Sequence, residues 1–284
     1  MPPPTALRPP IPPEFAAAIQ VTETERAWIR QHLAGFLEDQ VITDVVRRVK
    51  AGKEATVYVC AAHPSTGKSW VAAKVYREWS LRSSRNMSQY QQGRAMLDDE
   101  GNAPQGRPGR HSGGKSTRGK AAAETSWVMH EFTTLEALHA QGADVPQPLE
   151  HAAHALLMEY IGDEAEAAPT LNDVVLEAHE AKPLFERVLF NVELLLALGW
   201  VHGDLSEYNI LYHHGRIVLI DFPQVADCRN NPKARALFGR DIERVSRYFE
   251  RSGHATDPRQ LASDLWSRHV TDANANAEDD GSPD

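Results

Sequence analysis

Cysteine is scarce: the 284 residues contain two, Cys60 and Cys228. They stand far apart in unrelated contexts, which argues against a disulfide framework or a cysteine metal cluster and fits a reducing cytoplasm. Long apolar runs are missing as well. No stretch approaches the ~18 uninterrupted apolar residues of a membrane span. The start, MPPPTALRPPIPPEF, lacks the apolar centre of a signal peptide. Positive charge is not in excess: 30 Lys and Arg face 39 Asp and Glu, a formal net charge of −9. A chain with that balance is not built to coat nucleic acid or an anionic membrane. The expectation is a cytoplasmic protein with no membrane partner and no direct, sequence-specific nucleic-acid partner. The 13 histidines show no metal-ligand spacing. His213 and His214 precede a glycine in an expected surface turn, and no metal is assigned to them.

One phosphate-cradle pattern is present in letters only. GRHSGGKST, Gly109 to Thr117, fits G-x-x-x-x-G-K-[ST]. The pattern works when a buried strand delivers the glycines and a helix follows, so that free backbone N–H groups face the phosphates. Here DDEGNAPQGRP precedes it, which forms no buried strand, and TRGKAAAE follows, a weak helix start. It reads as a basic loop that matches by chance.

The rest of the chain divides by composition. Residues 1–13 hold seven prolines and read as an extended, disordered arm. From 14 to 44 a helical extension is expected: Phe15, Ile19, Trp28, Ile29, Leu33 and Phe36 recur at helical spacing over 14–40, with Thr22 and Glu25 as a capping box. ATVYVC (55–60) and WVAAKVY (70–76), joined by HPSTGKS, read as an antiparallel hairpin. The stretch 82–125 carries eight Lys and Arg against four acids and few residues to bury, so a flexible insert is expected. WVMHEFTTLEALHAQG then reads as an amphipathic helix ended by Gly142. HALLMEYIG follows as a strand, 184–198 as a long apolar helix and RIVLIDF as a short strand. Further helices are expected over 233–250 and around 260–266. An acidic, disordered tail occupies 269–284. Strands dominate early and helices late, so the fold class is α+β with two unequal lobes.

The chemistry concentrates in VHGDLSEYNILYHHGRIVLIDFPQ, residues 201–224. Asp204 and Asn209 stand five apart in a polar loop after an apolar helix. Asp221, 17 positions beyond Asp204, ends an apolar strand. Alone, either acid would read as a turn cap or a strand end. Together they present two carboxylates and an amide at one mouth, hard oxygen donors of the kind that suit Mg²⁺ beside phosphates.

The set resembles the H-R-D-x-x-x-x-N and D-F-G loops of protein kinases, altered here to His202-Gly203-Asp204 and Asp221-Phe222-Pro223. HGDLSEYN with IDFPQ, GKEATVY at 52–58 and PQP at 146–148 is similar to the RIO family of atypical serine/threonine kinases. LLMEYIG and APTL resemble its first, most widespread branch. The match runs from about residue 45 to 250. It implies a bilobal protein-kinase-like fold, with a small β-rich N-lobe over 45–161 and a truncated, mainly helical C-lobe over 162–268.

The resemblance also implies ATP with Mg²⁺ (or Mn²⁺). Asp204 would be the catalytic base, and Asn209 and Asp221 the metal ligands. Lys74, a charge inside an apolar strand, would be the phosphate lysine. Its partner would be Glu131, which shares a helix face with Val128, Leu135 and Leu138. Val57, Met158, Glu159 and Ile161 would line the nucleotide, the last two through their backbone. The glycine-rich loop is reduced: Lys50, Gly52 and Ala55 stand where three glycines would be. No A-P-E sequence follows Asp221, so the platform for a protein substrate is minimal.

The expected activity is transfer of the ATP γ-phosphoryl group to a Ser or Thr hydroxyl of a protein, autophosphorylation included. An ATPase-type switch is the alternative, one that acts on an assembly such as a maturing ribosomal particle and in which Asp221 takes the phosphoryl group transiently. A small-molecule kinase of the aminoglycoside phosphotransferase type shares H-G-D-x-x-x-x-N but not GKEATVY or IDFPQ. A non-catalytic binding module would be expected to lose one of Lys74, Asp204, Asn209 or Asp221, and all four are present.

Overall fold

The computed structural model describes residues 11–77 and 117–270. Most of the Pro-rich arm, most of the insert with GRHSGGKST, and the tail from 271 lie outside the described residues. The chain forms two compact units. The first runs to Arg82 and takes in Leu149–Tyr160; the second comprises Ser83–Pro148 and everything from Ile161.

In the first unit, helix α1 (Glu23–Glu38) is followed by strands β1 (Ile42–Ala51), β2 (Ala55–Ala62) and β3 (Trp70–Tyr76), and later by β4 (Pro148–Ala152) and β5 (Ala155–Glu159). They make one five-stranded sheet in the order β1-β2-β3-β5-β4. The expected hairpin is β2 and β3, antiparallel from Ala55↔Tyr76 to Ala61↔Trp70. β1 lies where the helical extension to 44 was expected to end. Its hydrophobic alternation is blurred because its register with β2 shifts three times, so period-2 reading fails there.

The N-terminal helix is shorter than its spacing predicts. Thr22 caps it, its side chain accepting from the Glu25 N–H at 3.2 Å. Phe15 and Ile19 are buried as expected but lie in turns before the helix. Ala16 adopts φ 58, and its N–H donates to the Asp44 carboxylate at 2.8 Å. Arg26 donates to the Ala16 and Ala17 carbonyls. These side chains satisfy the backbone groups that a continued helix would have paired. Phe15, Ile29, Leu33 and Phe36 pack with Tyr58, Val71, Ala73 and Leu157 in a single core.

The second unit holds helix α2 (Thr117–Ala140), α3 (Ala178–Ala197), α4 (Ala234–Arg251) and α5 (Pro258–His269). Two small ribbons accompany them, β6 (Trp200–Val201) with β9 (Ala226–Asp227) and β7 (Ile210–His213) with β8 (Arg216–Leu219). α2 begins at Thr117, inside the stretch 82–125 that reads as a loop. α3 begins six residues earlier than its apolar run because Glu177 and Glu180 form a capping box. Its buried face meets α4, with the Phe185 and Phe249 rings 5.3 Å apart, and Phe238 of α4 meets Trp266 of α5 at 5.6 Å. No helix among the described residues is long and apolar enough to cross a membrane.

Candidate active site

Lys74 sits in the middle of β3, a central strand, opposite Val57 on β2 and Leu156 on β5. It is 7% exposed, so it is a buried charge and not a surface decoration of the strand. Its ammonium lies 5.2 Å from the centre of the Tyr76 ring, so an aromatic face compensates part of its lost hydration. The β1–β2 turn closes tightly: the Gly52 N–H donates to the Ala55 carbonyl at 2.9 Å. A Cβ at Gly52 would stand 3.1 Å from that oxygen, a tight approach that favours glycine in this turn. Met158 and Glu159 end β5, paired with Ala72 and Val71. Tyr160 follows, its hydroxyl accepting from Arg47 at 2.6 Å.

Lys74 belongs to the first unit; Glu131 belongs to the second, as do Asp204, Asn209 and Asp221. Glu131 is 1% exposed. Its Oε1 accepts the backbone N–H of Phe222 at 3.2 Å, so it holds the residue that directly follows Asp221.

The loop carrying Asp204 is gripped from α4, by residues almost forty positions later. The Asp241 carboxylate accepts the Gly203 N–H at 2.7 Å and the Leu205 N–H at 3.1 Å. Arg240 donates to the Gly203 carbonyl at 2.5 Å. Gly203 therefore has both its backbone groups pinned, at φ 83, a conformation that favours glycine. One turn further along α4, Arg244 reaches Asp204 itself, with Nη1 2.8 Å from Oδ1. Asp241 is 2% exposed. Burial pushes its carboxyl up to about 8, against the opposing pull of the Gly203 N–H and the Arg240 guanidinium.

His202 completes the floor. Its Nε2 lies 3.2 Å from the Ile220 carbonyl, its Nδ1 is 3.4 Å from the Asp204 N–H, and its ring packs on Phe222 at 4.9 Å. A carbonyl only accepts, so the proton is on Nε2. Burial lowers the pKa of the ring, against the nearby charge of Asp221, and keeps it neutral.

Asn209 donates from Nδ2 to the Asp204 carbonyl at 2.9 Å, and its own carbonyl accepts the Ile220 N–H at 3.0 Å. Asn209 and Asp221 thus lie at the same end of the β7–β8 ribbon, one and two positions respectively beyond the Ile210↔Leu219 pair. Asp221 is held at φ 72, in the left-handed region that a non-glycine residue enters at a cost. Such a residue commonly marks a functional loop.

A model of the RIO domain matches residues 56–261. The chain belongs to the RIO family. It is 31% identical over 209 residues to the RIO-type serine/threonine-protein kinase Rio1 of Haloferax volcanii, covering 74% of this chain and 64% of that one. The Rio1 of Thermoplasma acidophilum is 35% identical over 135 residues, 48% of this chain and 69% of its own. Human RIO1 is 28% identical over 251 residues, 87% of this chain but 41% of the human one. This RIO chain thus spans between about two fifths and two thirds of the length of these relatives.

Among solved structures, the Rio2 kinase of Chaetomium thermophilum superposes with a TM-score of 0.62 at 21% identity, covering 89% of this chain and 71% of that one. The same kinase, solved as its ADP/Mg²⁺-phosphoaspartate complex, gives 0.59 at 22%, covering 85% and 66%. At that identity the likeness shows the fold: the RIO kinase fold, α+β, with a five-stranded sheet in one unit and a mainly helical second one.

Three residues of the Asp204 grip were not anticipated from the sequence: Arg240, Asp241 and Arg244 as holders of the loop. One signal was available. Asp241 interrupts the apolar stripe Phe238, Ile242, Val245, Phe249 on a helix, and an acid on a buried face needs partners.

Proposed function

We propose that the chain is an ATP- and Mg²⁺-dependent serine/threonine protein kinase of the RIO type. The observation that carries the reading is the Asp204 loop, gripped at Gly203 and Leu205 by Asp241 and at the carboxylate by Arg244. Asp204 accepts the proton of a Ser or Thr hydroxyl as that oxygen bonds to the γ-phosphorus and the bond to the ADP oxygen breaks. Arg244 fixes the carboxylate oxygen it holds, leaving the second oxygen for the hydroxyl.

The donor set suits Mg²⁺. Asn209 commits its amide nitrogen to the Asp204 carbonyl, so its amide oxygen remains as a ligand, and Asp221 adds a carboxylate; both are hard oxygen donors. When bound, Mg²⁺ neutralises charge on the nucleotide phosphates. On this reading Lys74 would be the phosphate cation, and the backbone of Glu159 and Ile161 would supply the adenine contact.

A second reading rests on Asp221. Its left-handed backbone, together with a structural neighbour solved with phosphoaspartate, supports an ATPase cycle with a transient phosphoryl group on Asp221, acting on an assembly such as a maturing ribosomal particle. One experiment tests both. The protein is incubated with γ-labelled ATP and Mg²⁺, beside Asp204→Ala and Asp221→Ala. The kinase reading expects acid-stable label on protein that is lost in Asp204→Ala. Phosphate release with base-labile label, lost in Asp221→Ala, would favour the second reading. Full stable labelling in Asp204→Ala would sink the first.

A further inference from the structure

The β7–β8 ribbon turns through His214 and Gly215, at φ 49 and φ 76. Two successive positive φ values make the two-residue loop for which Asn-Gly is the favoured sequence. Here the first place is taken by histidine, directly after another histidine. His213 ends the strand and His214 opens the turn, and both imidazoles converge on one acceptor. His213 Nε2 and His214 Nε2 each lie 3.1 Å from one oxygen, Asp163 Oδ1, with the ring centres 4.1 Å apart.

Asp163 comes from the other side of the second unit's sequence, fifty positions earlier. Its own loop is fixed: the Asp163 N–H donates to the Glu166 carbonyl at 2.9 Å, the Ala168 N–H to Ile161 at 3.0 Å, and Gly162 bridges Ala167. The carboxylate is therefore presented to the hairpin by a tied loop.

We propose that Asp163, His213 and His214 form a surface site for a zinc-class divalent transition metal, separate from the Asn209 and Asp221 pair. The ligand atoms lie within 4.8 Å of one another. Zinc binds imidazole nitrogen and carboxylate oxygen at about 2.0–2.2 Å in a tetrahedron, so its ligand atoms stand roughly 3.3 Å apart. The two nitrogen–oxygen edges at 3.1 Å match that spacing. Two imidazoles and one carboxylate form a ligand set that zinc and its neighbours prefer and that Mg²⁺ does not. Asp163 and His214 are mostly exposed, at 66% and 71% of their side chains, while His213 is at 23%. The solvent side leaves the fourth position to water. A bound ion would staple the 162–168 loop to the ribbon whose opposite end carries Asn209 and Asp221.

The test titrates Co²⁺, a spectroscopic stand-in for zinc, into the tag-free chain with Mg²⁺ and ADP in excess, so that the nucleotide-dependent metal positions do not contribute. The expected result is one equivalent bound, with the intense visible absorption of tetrahedral cobalt, displaced by one equivalent of Zn²⁺. Asp163→Ala and His214→Ala should each weaken binding about ten-fold or more, whereas His63→Ala should not. Zn²⁺ should raise the melting temperature of the wild type by several degrees and leave both site variants unmoved. The proposal is overturned if the wild type shows no such band, or if the site variants, melting like the wild type without metal, bind Co²⁺ as tightly. Loss of ADP binding alone would count against the kinase reading and leave the cobalt result standing.

Discussion

The two units hold their principal charges in opposite ways. Lys74 is placed by the backbone: a central strand, hydrogen-bonded on both sides, carries it into a buried position, and the sheet register decides where it stands. Asp204 is placed by side chains. Its loop has no ladder of its own and takes its shape from Asp241, Arg240, Arg244 and Asn209. A charge held by a strand is hard to lose without losing the strand. A charge held by a side-chain grip can be loosened one contact at a time, so the second unit is where the proposed roles can be dissected.

The largest effect should come from removing the charges themselves. Asp204→Ala is expected to lower phosphoryl transfer by about 10²–10⁴-fold, the usual worth of a general base, with little change in the denaturant midpoint. Lys74→Met, which keeps the buried stem, should also abolish most turnover while leaving the chain folded.

Next comes the grip. Asp241→Ala leaves two buried N–H groups without their acceptor, at about 1–3 kcal/mol each. Urea unfolding should show that loss, and turnover should fall with it. If Asp241→Ala were as stable as the wild type, the grip would not be what shapes the loop.

Arg244→Ala separates position from stability. The pair with Asp204 is about a third exposed on both sides, so its loss should cost no more than ~1 kcal/mol. Turnover should still drop by roughly 10- to 100-fold through misplacement of the carboxylate, mainly in kcat. Arg244→Lys should recover part of it.

The mildest perturbation is pH. Burial raises the Asp241 carboxyl from 3.8 to about 8, so the folded chain keeps a proton that the unfolded chain releases. That contribution is complete below about 3.8 and is lost as the pH climbs to about 8. Stability measured by urea unfolding should fall across this window, and Asp241→Asn should flatten the slope.

The same contrast explains what the sequence made legible. The hairpin of β2 and β3, the lysine inside it and the capped start of α1 rest on local rules, and each could be read from a few neighbouring residues. HGD-xxxx-N and Asp221 were readable because their spacing survives as letters. What escaped reading depends on distant partners. β1 hides its pattern behind three register shifts. Phe15 and Ile19 leave the helix because Asp44 and Arg26 capture the backbone around them. Asp241 has its meaning only once Gly203 and Leu205 are beside it. His213 and His214 showed no ligand spacing because their third partner, Asp163, stands fifty positions away.

The residue after Asp221 bears on how such a chain could be inhibited. Phe222 is buried, its ring lies on His202, its N–H is tied to Glu131, and Pro223 behind it restricts it to extended backbone. A glycine in that place would let the phenylalanine swing out and open a pocket for a drug. Here the swing would break a stacking contact and a buried hydrogen bond at once, against a proline that limits where the chain can go. Compounds that work by displacing that ring should find no foothold.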